Sequence, residues 1–286
     1  MTSFAMLLLV TAAFLHAGWN LVAKRVSGGA AFTWLFSVLS ALLLFPFAIF
    51  ATWGHGCFTG TALIPLAAAS ALFETGYFLF LQKGYRAGDM SVVYPLARGT
   101  GPLLATLTAI LILGERPTVL NLAGTGLVIT GILWIAGGIP FLKDSRSRAA
   151  PLLGVATGAC IAAYSTVDRM AVGVEGFPPT LFFLAVIVIQ VFLLTPLALK
   201  DREGMSFQWR HNRRAALTVA VLAVSAYLAV LYALAITPLS IIAPAREISV
   251  VIGTFLGTTI LGEGDKRRRM TGSIIILLGI VAISLG

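Results

Sequence analysis

The sequence predicts an all-α polytopic membrane protein of ten transmembrane helices, built as two inverted five-helix repeats. Three observations predict it. The apolar excess is too large for one soluble core, ten apolar stretches approach membrane length, and a set of positions recurs at a fixed shift. The 286-residue chain is 58% hydrophobic and only 11% charged, with a mean hydropathy of +0.96. A soluble domain carries roughly a quarter charged residues, so a bundle dissolved in lipid is the arrangement this composition fits.

A spanning helix needs about 20 mostly apolar residues, and the chain offers ten such stretches. The first half has 4–23, ending at Lys24 and Arg25, then 31–53, then 63–81, followed by Lys83 and Arg86. Its last two are 90–113, ending at Gly114 and Glu115, and the short 119–135. A polar joint, PFLKDSRSRAA at 140–150, separates these from 152–172, 180–199, 215–236, 239–261 and the short 270–285. Gly, Pro, Asp and basic residues fill the gaps, as loops require, and the longest polar gap outside the joint is 200–214. The first span lacks the basic start and short apolar core of a cleaved signal, so it is expected to be retained.

The repeat appears when Arg98 is laid on Arg246, a shift of 148 positions. The same shift carries Gly114-Glu115 onto Gly262-Glu263, Gly124 onto Gly272 and Gly131 onto Gly279. Gap-free recurrence of this kind marks a duplication, with one copy over 1–140 and the other over 141–286. Five spans per copy is odd, so the second copy enters the membrane from the opposite side and the copies are inverted. Charge supports this independently. Loops after odd-numbered spans hold 16 of the 20 Lys and Arg, loops after even-numbered spans only Arg116 and Arg169, and the remaining two are Arg98 and Arg246. The positive-inside rule puts odd loops in the cytoplasm and both termini on the outer side of the membrane.

The formal charge of +9 sits in short inter-span gaps, where it meets anionic headgroups. No basic helix face interleaved with aromatics supports nucleic-acid binding. Cys57 and Cys160 share no metal-ligand spacing and are not expected to pair. The chain carries no HExxH, no GxSxG and no paired-aspartate or DxE metal cluster, so no catalytic residue, metal or cofactor is expected.

Four stretches carry a family resemblance: HAGWNLVAK at 16–24, YPLARGTGP at 94–102, LGERPT at 113–118 and AREISVVIGTFLGTTILGE at 245–263. In order and spacing the chain resembles the drug/metabolite transporter superfamily, and more narrowly its EamA branch, over nearly its whole length. The resemblance implies a carrier of small metabolites, often an exporter, in bacterial inner membranes. It names no cargo, because members differ widely in substrate.

An ionisable group within the hydrocarbon layer is costly and usually faces a partner or a water-filled cavity. The deep ones are Glu74, Arg98, Asp168, Arg246 and Glu247, with His16 able to charge. Arg98 follows Tyr94 by four residues, so the two share a helix face. Pro95, Gly99, Gly101 and Pro102 make that helix start easily kinked. Arg246 follows Pro244 and precedes Glu247, about 100° round the helix, so these neighbours need not pair. Either arginine reads as an anchor for an acidic group on the cargo or as a brace between helices. Glu74, with Tyr77 one turn on, is a coupling candidate in a proton-driven carrier, as is His16. His16, Asn20 and Lys24 form one stripe at i, i+4 and i+8 beside Trp19, and the shift lays His16 on Tyr164 and Asn20 on Asp168.

Glu115 and Glu263 read as span-end residues: the preceding glycine caps one helix, the carboxylate suits the start of the next, and Pro117 opens that helix. Arg169, near a span end, reads as a residue that snorkels to headgroups. Gly124 and Gly272 read as close-packing positions. The deep charges nearly balance, which favours a zwitterionic, neutral or modestly charged cargo over a strongly anionic one. Trp19, Tyr77, Tyr94, Tyr164 and Tyr227 suit a cargo that is partly apolar. The expectation is therefore an alternating-access carrier in the lipid bilayer that moves a small molecule, outward by resemblance, with protons as the candidate coupling ion. The competing classes are a non-transporting membrane sensor or assembly protein, and a membrane-embedded enzyme.

Overall fold

The computed structural model describes residues 1–26, 29–52, 61–87, 90–137, 149–260 and 266–286. Within them the first half forms α1 (Ser3–Arg25), α2 (Gly29–Thr52), α3 (Leu63–Ala87), α4 (Met90–Leu111) and α5 (Val119–Ala136). The second half forms α6 (Ala149–Arg169), α7 (Pro179–Lys200), α8 (Arg202–Ile236), α9 (Leu239–Ala245), α10 (Ile248–Ile260) and α11 (Lys266–Leu285). A π-helical turn, Met170–Val174, continues α6. No strand occurs among the described residues. Glu263, the joint at 140–148 and Cys57 lie outside them, as do the side chains of Lys24 and Arg25.

Eight of these helices are long and apolar enough to cross a membrane. The remaining two spans are those that carry the arginines. In α4, the stretch Tyr94 to Pro102 dilutes the apolar run with a charge, two glycines and two prolines. The ninth span is broken rather than continuous, with Arg246 and Glu247 in a turn between α9 and α10. Pro244 has no N–H to give the helix. The backbone tightens just past it, with Glu247 N donating to Pro244 O at 3.2 Å and Val250 N to Glu247 O at 2.9 Å.

Two further expectations are corrected. Residues 202–214 are not loop but the first turns of α8. Asp201 caps that helix by accepting from Gly204 N at 3.0 Å, and the acidic Glu203 suits the first turn. Pro117 does not open α5. Thr118 is its N-cap, in a reciprocal capping box with Asn121.

The α5–α11 seam displays the inversion directly. A Cβ on Gly124 would lie 2.6 Å from the Gly279 carbonyl oxygen, and one on Gly131 2.8 Å from that of Gly272. Only glycine lets two backbones approach so closely. Under the 148-residue shift each contact is the image of the other, and numbering rises along α5 as it falls along α11. Two antiparallel helices exchanged by a twofold between them are what inverted repeats produce. The other neighbours follow the same plan: α3 packs on α6 as α8 packs on α1, and α2 lies along α7. Large apolar residues such as Phe50, Leu111 and Phe192 point outward, more than 70% exposed, as a lipid-facing surface does.

Candidate functional site

Between the two halves lies a cavity of about 140 Å³. It is walled by α1, α2, α3 and α4 from one repeat and by α6, α7, α8 and the broken ninth span from the other. α5 and α11 contribute no lining residue. Eight of the residues singled out from sequence line it: His16, Trp19, Glu74, Tyr77, Arg98, Tyr164, Tyr227 and Arg246.

The two arginines sit differently. Arg98 Nη1 lies 3.4 Å from Glu247 Oε1, and its guanidinium lies 5.5 Å from the Tyr94 ring centroid. Tyr94 and Glu247 do not line the cavity; they hold Arg98 from behind. Arg246 has one long bond, Nη1 to Ser165 Oγ at 3.4 Å, and lies 5.9 Å from the Tyr227 ring centroid. The turn between α9 and α10 lets Glu247 reach Arg98 while its neighbour Arg246 faces the cavity. The Glu74 carboxylate lines the cavity with no hydrogen-bond or ion-pair partner among the described residues.

Asp168 is fully buried behind the wall. Its Oδ1 accepts from Ser70 Oγ at 2.6 Å, and its Oδ2 accepts from the Tyr227 hydroxyl. It therefore orients Tyr227, whose ring packs 4.9 Å from that of Phe183. Tyr77 and Tyr164 meet edge-on at 6.4 Å.

His16 lies between two donors. Its Nδ1 is 3.2 Å from Trp19 Nε1 and its Nε2 is 3.3 Å from Arg98 Nη2. A neutral imidazole accepts at one nitrogen only, so one contact is a hydrogen bond and the other is not. With both nitrogens protonated, neither is. Asn20 departs from the predicted stripe: it is exposed, lies outside the lining, and donates to the His16 carbonyl at 2.7 Å.

At one end of the bundle the two repeats are tied together. Gly114, at φ +67°, turns the chain after α4 so that Glu115 reaches across to the other repeat. Its two carboxylate oxygens accept from the N–H groups of Leu239 at 2.8 Å and Ser240 at 2.9 Å. The sequence expectation put this carboxylate at the start of α5; it caps α9 instead. Arg169 does not reach for headgroups either. Its Nε lies 3.6 Å from Glu115, and Nη1 donates to the carbonyls of Leu234 and Ala235. The ends of α4, α6 and α8 and the start of α9 thus meet about one turn beyond the cavity residue Val230.

The sequence pattern of the EamA-like transporter family matches residues 3–137 and again 148–285. The chain belongs to that family. This EamA-like protein is therefore a multi-pass membrane transporter of the drug/metabolite type, with a small-molecule substrate and a lipid surround; members of the family are transporters, not enzymes. Twenty-nine chains of solved structure match as well. One crystal structure, 16% identical, covers 100% of this chain and 98% of its own, with a TM-score of 0.76, which shows the shared fold. No curated protein sequence matches the transporter.

Sequence reasoning missed the uncharged polar lining of the EamA-like cavity: Ser37, Ser40, Gln190 and Ser249. Gln190 carries the clearest overlooked signal, an amide inside the otherwise apolar run of α7. Attention to ionisable groups alone passes over it.

Proposed function

We propose that this transporter carries a small zwitterionic metabolite with a partly apolar body, by alternating access at the central cavity. The observation that carries the reading is a pair of ionisable groups on the cavity wall, Glu74 and Arg246, that lack an ion-pair partner among the described residues. Among the described residues Glu74 has no hydrogen-bond or ion-pair partner, and Arg246 has one long hydrogen bond besides its contact with the Tyr227 ring. Desolvated charges without partners are costly, and a cargo bearing an amine and an acid completes both. Trp19, Tyr77, Tyr164 and Tyr227 supply apolar walls. Arg98, already held by Glu247 and Tyr94, serves as a brace.

The tie at Glu115 and Arg169 closes one end of the cavity in this state. With odd-numbered loops cytoplasmic, that end is extracytoplasmic, both termini lie outside, and the state faces inward in an inner membrane. The two repeats, 1–140 and 141–286, act as the rocking units, with the Arg246–Glu247 turn as the hinge. Transport runs outward. Glu74 is the coupling group if protons drive it, because His16 loses both its contacts on full protonation.

The test is thermal unfolding in mild detergent against amino acids, aromatic acids, purines, phosphonates and polyamines. Binding to the folded state raises Tm by mass action, about 2.7 kcal/mol of stabilisation at a hundredfold excess over Kd. The expected result is that a zwitterionic class stabilises the wild type but neither Glu74→Gln nor Arg246→Gln, both still folded. Equal stabilisation of all three sinks the assignment.

A further inference from the structure

A second cavity, separate from the pathway, lies at the membrane boundary where α2 begins and α7 ends. α8 is 35 residues long, about 52 Å at 1.5 Å per residue, whereas the hydrocarbon core is about 30 Å thick. Its first turns therefore project into the headgroup layer and beyond. Beneath them is a groove of about 460 Å³ that shares no lining residue with the central cavity.

The floor of the groove is apolar: Ala31, Trp34 and Leu35 from α2, Leu199 from α7, and Met205 from α8. Trp34 keeps its indole N–H occupied by donating to Thr195 Oγ1 at 3.0 Å. The rim is polar and comes from one face of α8. Arg202, Ser206 and Trp209 stand at i, i+4 and i+7 and also line the groove. None of the three side chains has a hydrogen-bond or ion-pair partner among the described residues. Trp209 and its neighbour Phe207 are about half exposed, as aromatic residues at a membrane interface are. The surrounding segment is basic, with Lys200, Arg202, Arg210, Arg213 and Arg214 against Asp201 and Glu203. Asp201 is committed to the helix cap.

We infer that this groove holds an anionic phospholipid. One acyl chain lies along the floor, and the phosphate accepts from Arg202, Ser206 and the Trp209 indole. The apolar floor asks for a chain, the three idle donors ask for an acceptor-rich head, and basic pockets between helices at this depth select anionic lipids. The lipid bridges α2 to the α7–α8 corner, elements from the two repeats.

The experiment is native mass spectrometry of the full chain, released from detergent after incubation with phosphatidylglycerol or with phosphatidylcholine of the same acyl composition. The expected result is one retained phosphatidylglycerol per chain and little phosphatidylcholine. Arg202→Ala lowers occupancy about fivefold, the weight of one interfacial base, and Arg202→Lys restores most of it. Ala31→Trp keeps every charge but fills the floor, and abolishes retention; it decides the matter if Arg202→Ala fails to fold. Arg213→Ala, on the same helix but off the groove, leaves occupancy unchanged. Equal retention of phosphatidylcholine, equal loss in Arg213→Ala, or full retention in Ala31→Trp overturns the inference. So does displacement of the lipid by inorganic phosphate at equal concentration, which would make the site one for free anions.

Discussion

At the α5–α11 seam, Gly124 meets Gly279 while Gly131 meets Gly272, and each contact is the image of the other across the duplication. At the cavity, Arg98 meets Glu247, and the image of that contact runs from Arg246 to Gly99, where there is no carboxylate. Both regions descend from the same doubled half-protein. One has kept its twofold because two copies of one packing surface must fit each other wherever they meet. The other has lost it, and the loss leaves one arginine with a carboxylate partner and the other with only a hydroxyl and an aromatic ring. The tied end repeats the lesson in the sequence: Arg169 supports Glu115, but its image is Leu21. Symmetry here belongs to the scaffold and asymmetry to the site.

The largest effect that tests this contrast falls on the ion pair. Glu247→Ala leaves Arg98, part-buried at the cavity wall, without its carboxylate, a change that approaches the cost of about 3–5 kcal/mol for breaking a fully buried pair. The variant is expected to unfold at a much lower temperature in detergent. Adding Arg98→Gln is expected to recover part of the loss, because the uncompensated charge goes with it. If Glu247→Ala melts like the wild type, the pair is no brace and the contrast with Arg246 fails. The seam gives the next largest effect, and there the images should agree. Gly131→Ala drives a Cβ to 2.8 Å from the Gly272 oxygen, and Gly279→Ala, its image, to 2.7 Å from that of Gly124. Each is expected to lose about 1–3 kcal/mol to overpacking, with Tm shifts that match. Unequal shifts would mean that the seam is not symmetric in energy, whatever its geometry.

The scaffold was legible in the sequence because its causes are local or periodic. Apolar length sets spans, and the 148-residue shift exposes the repeat, including the glycines of the seam. What escaped was the consequence of the third dimension at span ends. Glu115 sits next to α5 in the chain, but it caps α9, because inversion brings the two halves end to end there. The fold of 202–214 escaped for another reason: a polar composition reads as loop in a membrane chain, although Asp201 is a good N-cap and α8 contains no proline. At the cavity, Arg98 and Arg246 stood out as costly, yet which of them is paired depends on a turn at 246–247 that periodicity does not contain.

The smallest effect concerns another pair of images, Asn20 and Asp168. On the helix wheel both belong to the polar stripe of the first span in their repeat, and the sequence gives no reason to rank them. In the folded protein Asp168 is fully buried between Ser70 and Tyr227, whereas Asn20 is exposed and, among the described residues, its side chain bonds only to the His16 carbonyl. That carbonyl already belongs to a continuous helix, so the side-chain bond adds to a group that has its own backbone partner. Asn20→Ala is therefore expected to change stability by no more than about 0.5 kcal/mol and to leave ligand-induced stabilisation intact. Asp168→Ala, by contrast, frees the Tyr227 hydroxyl that the carboxylate holds and removes the acceptor for Ser70. If melting curves with and without ligand show Asn20→Ala as damaging as Asp168→Ala, then the first span reaches the pathway along its whole stripe, and the asymmetry between the repeats is shallower than the cavity wall implies.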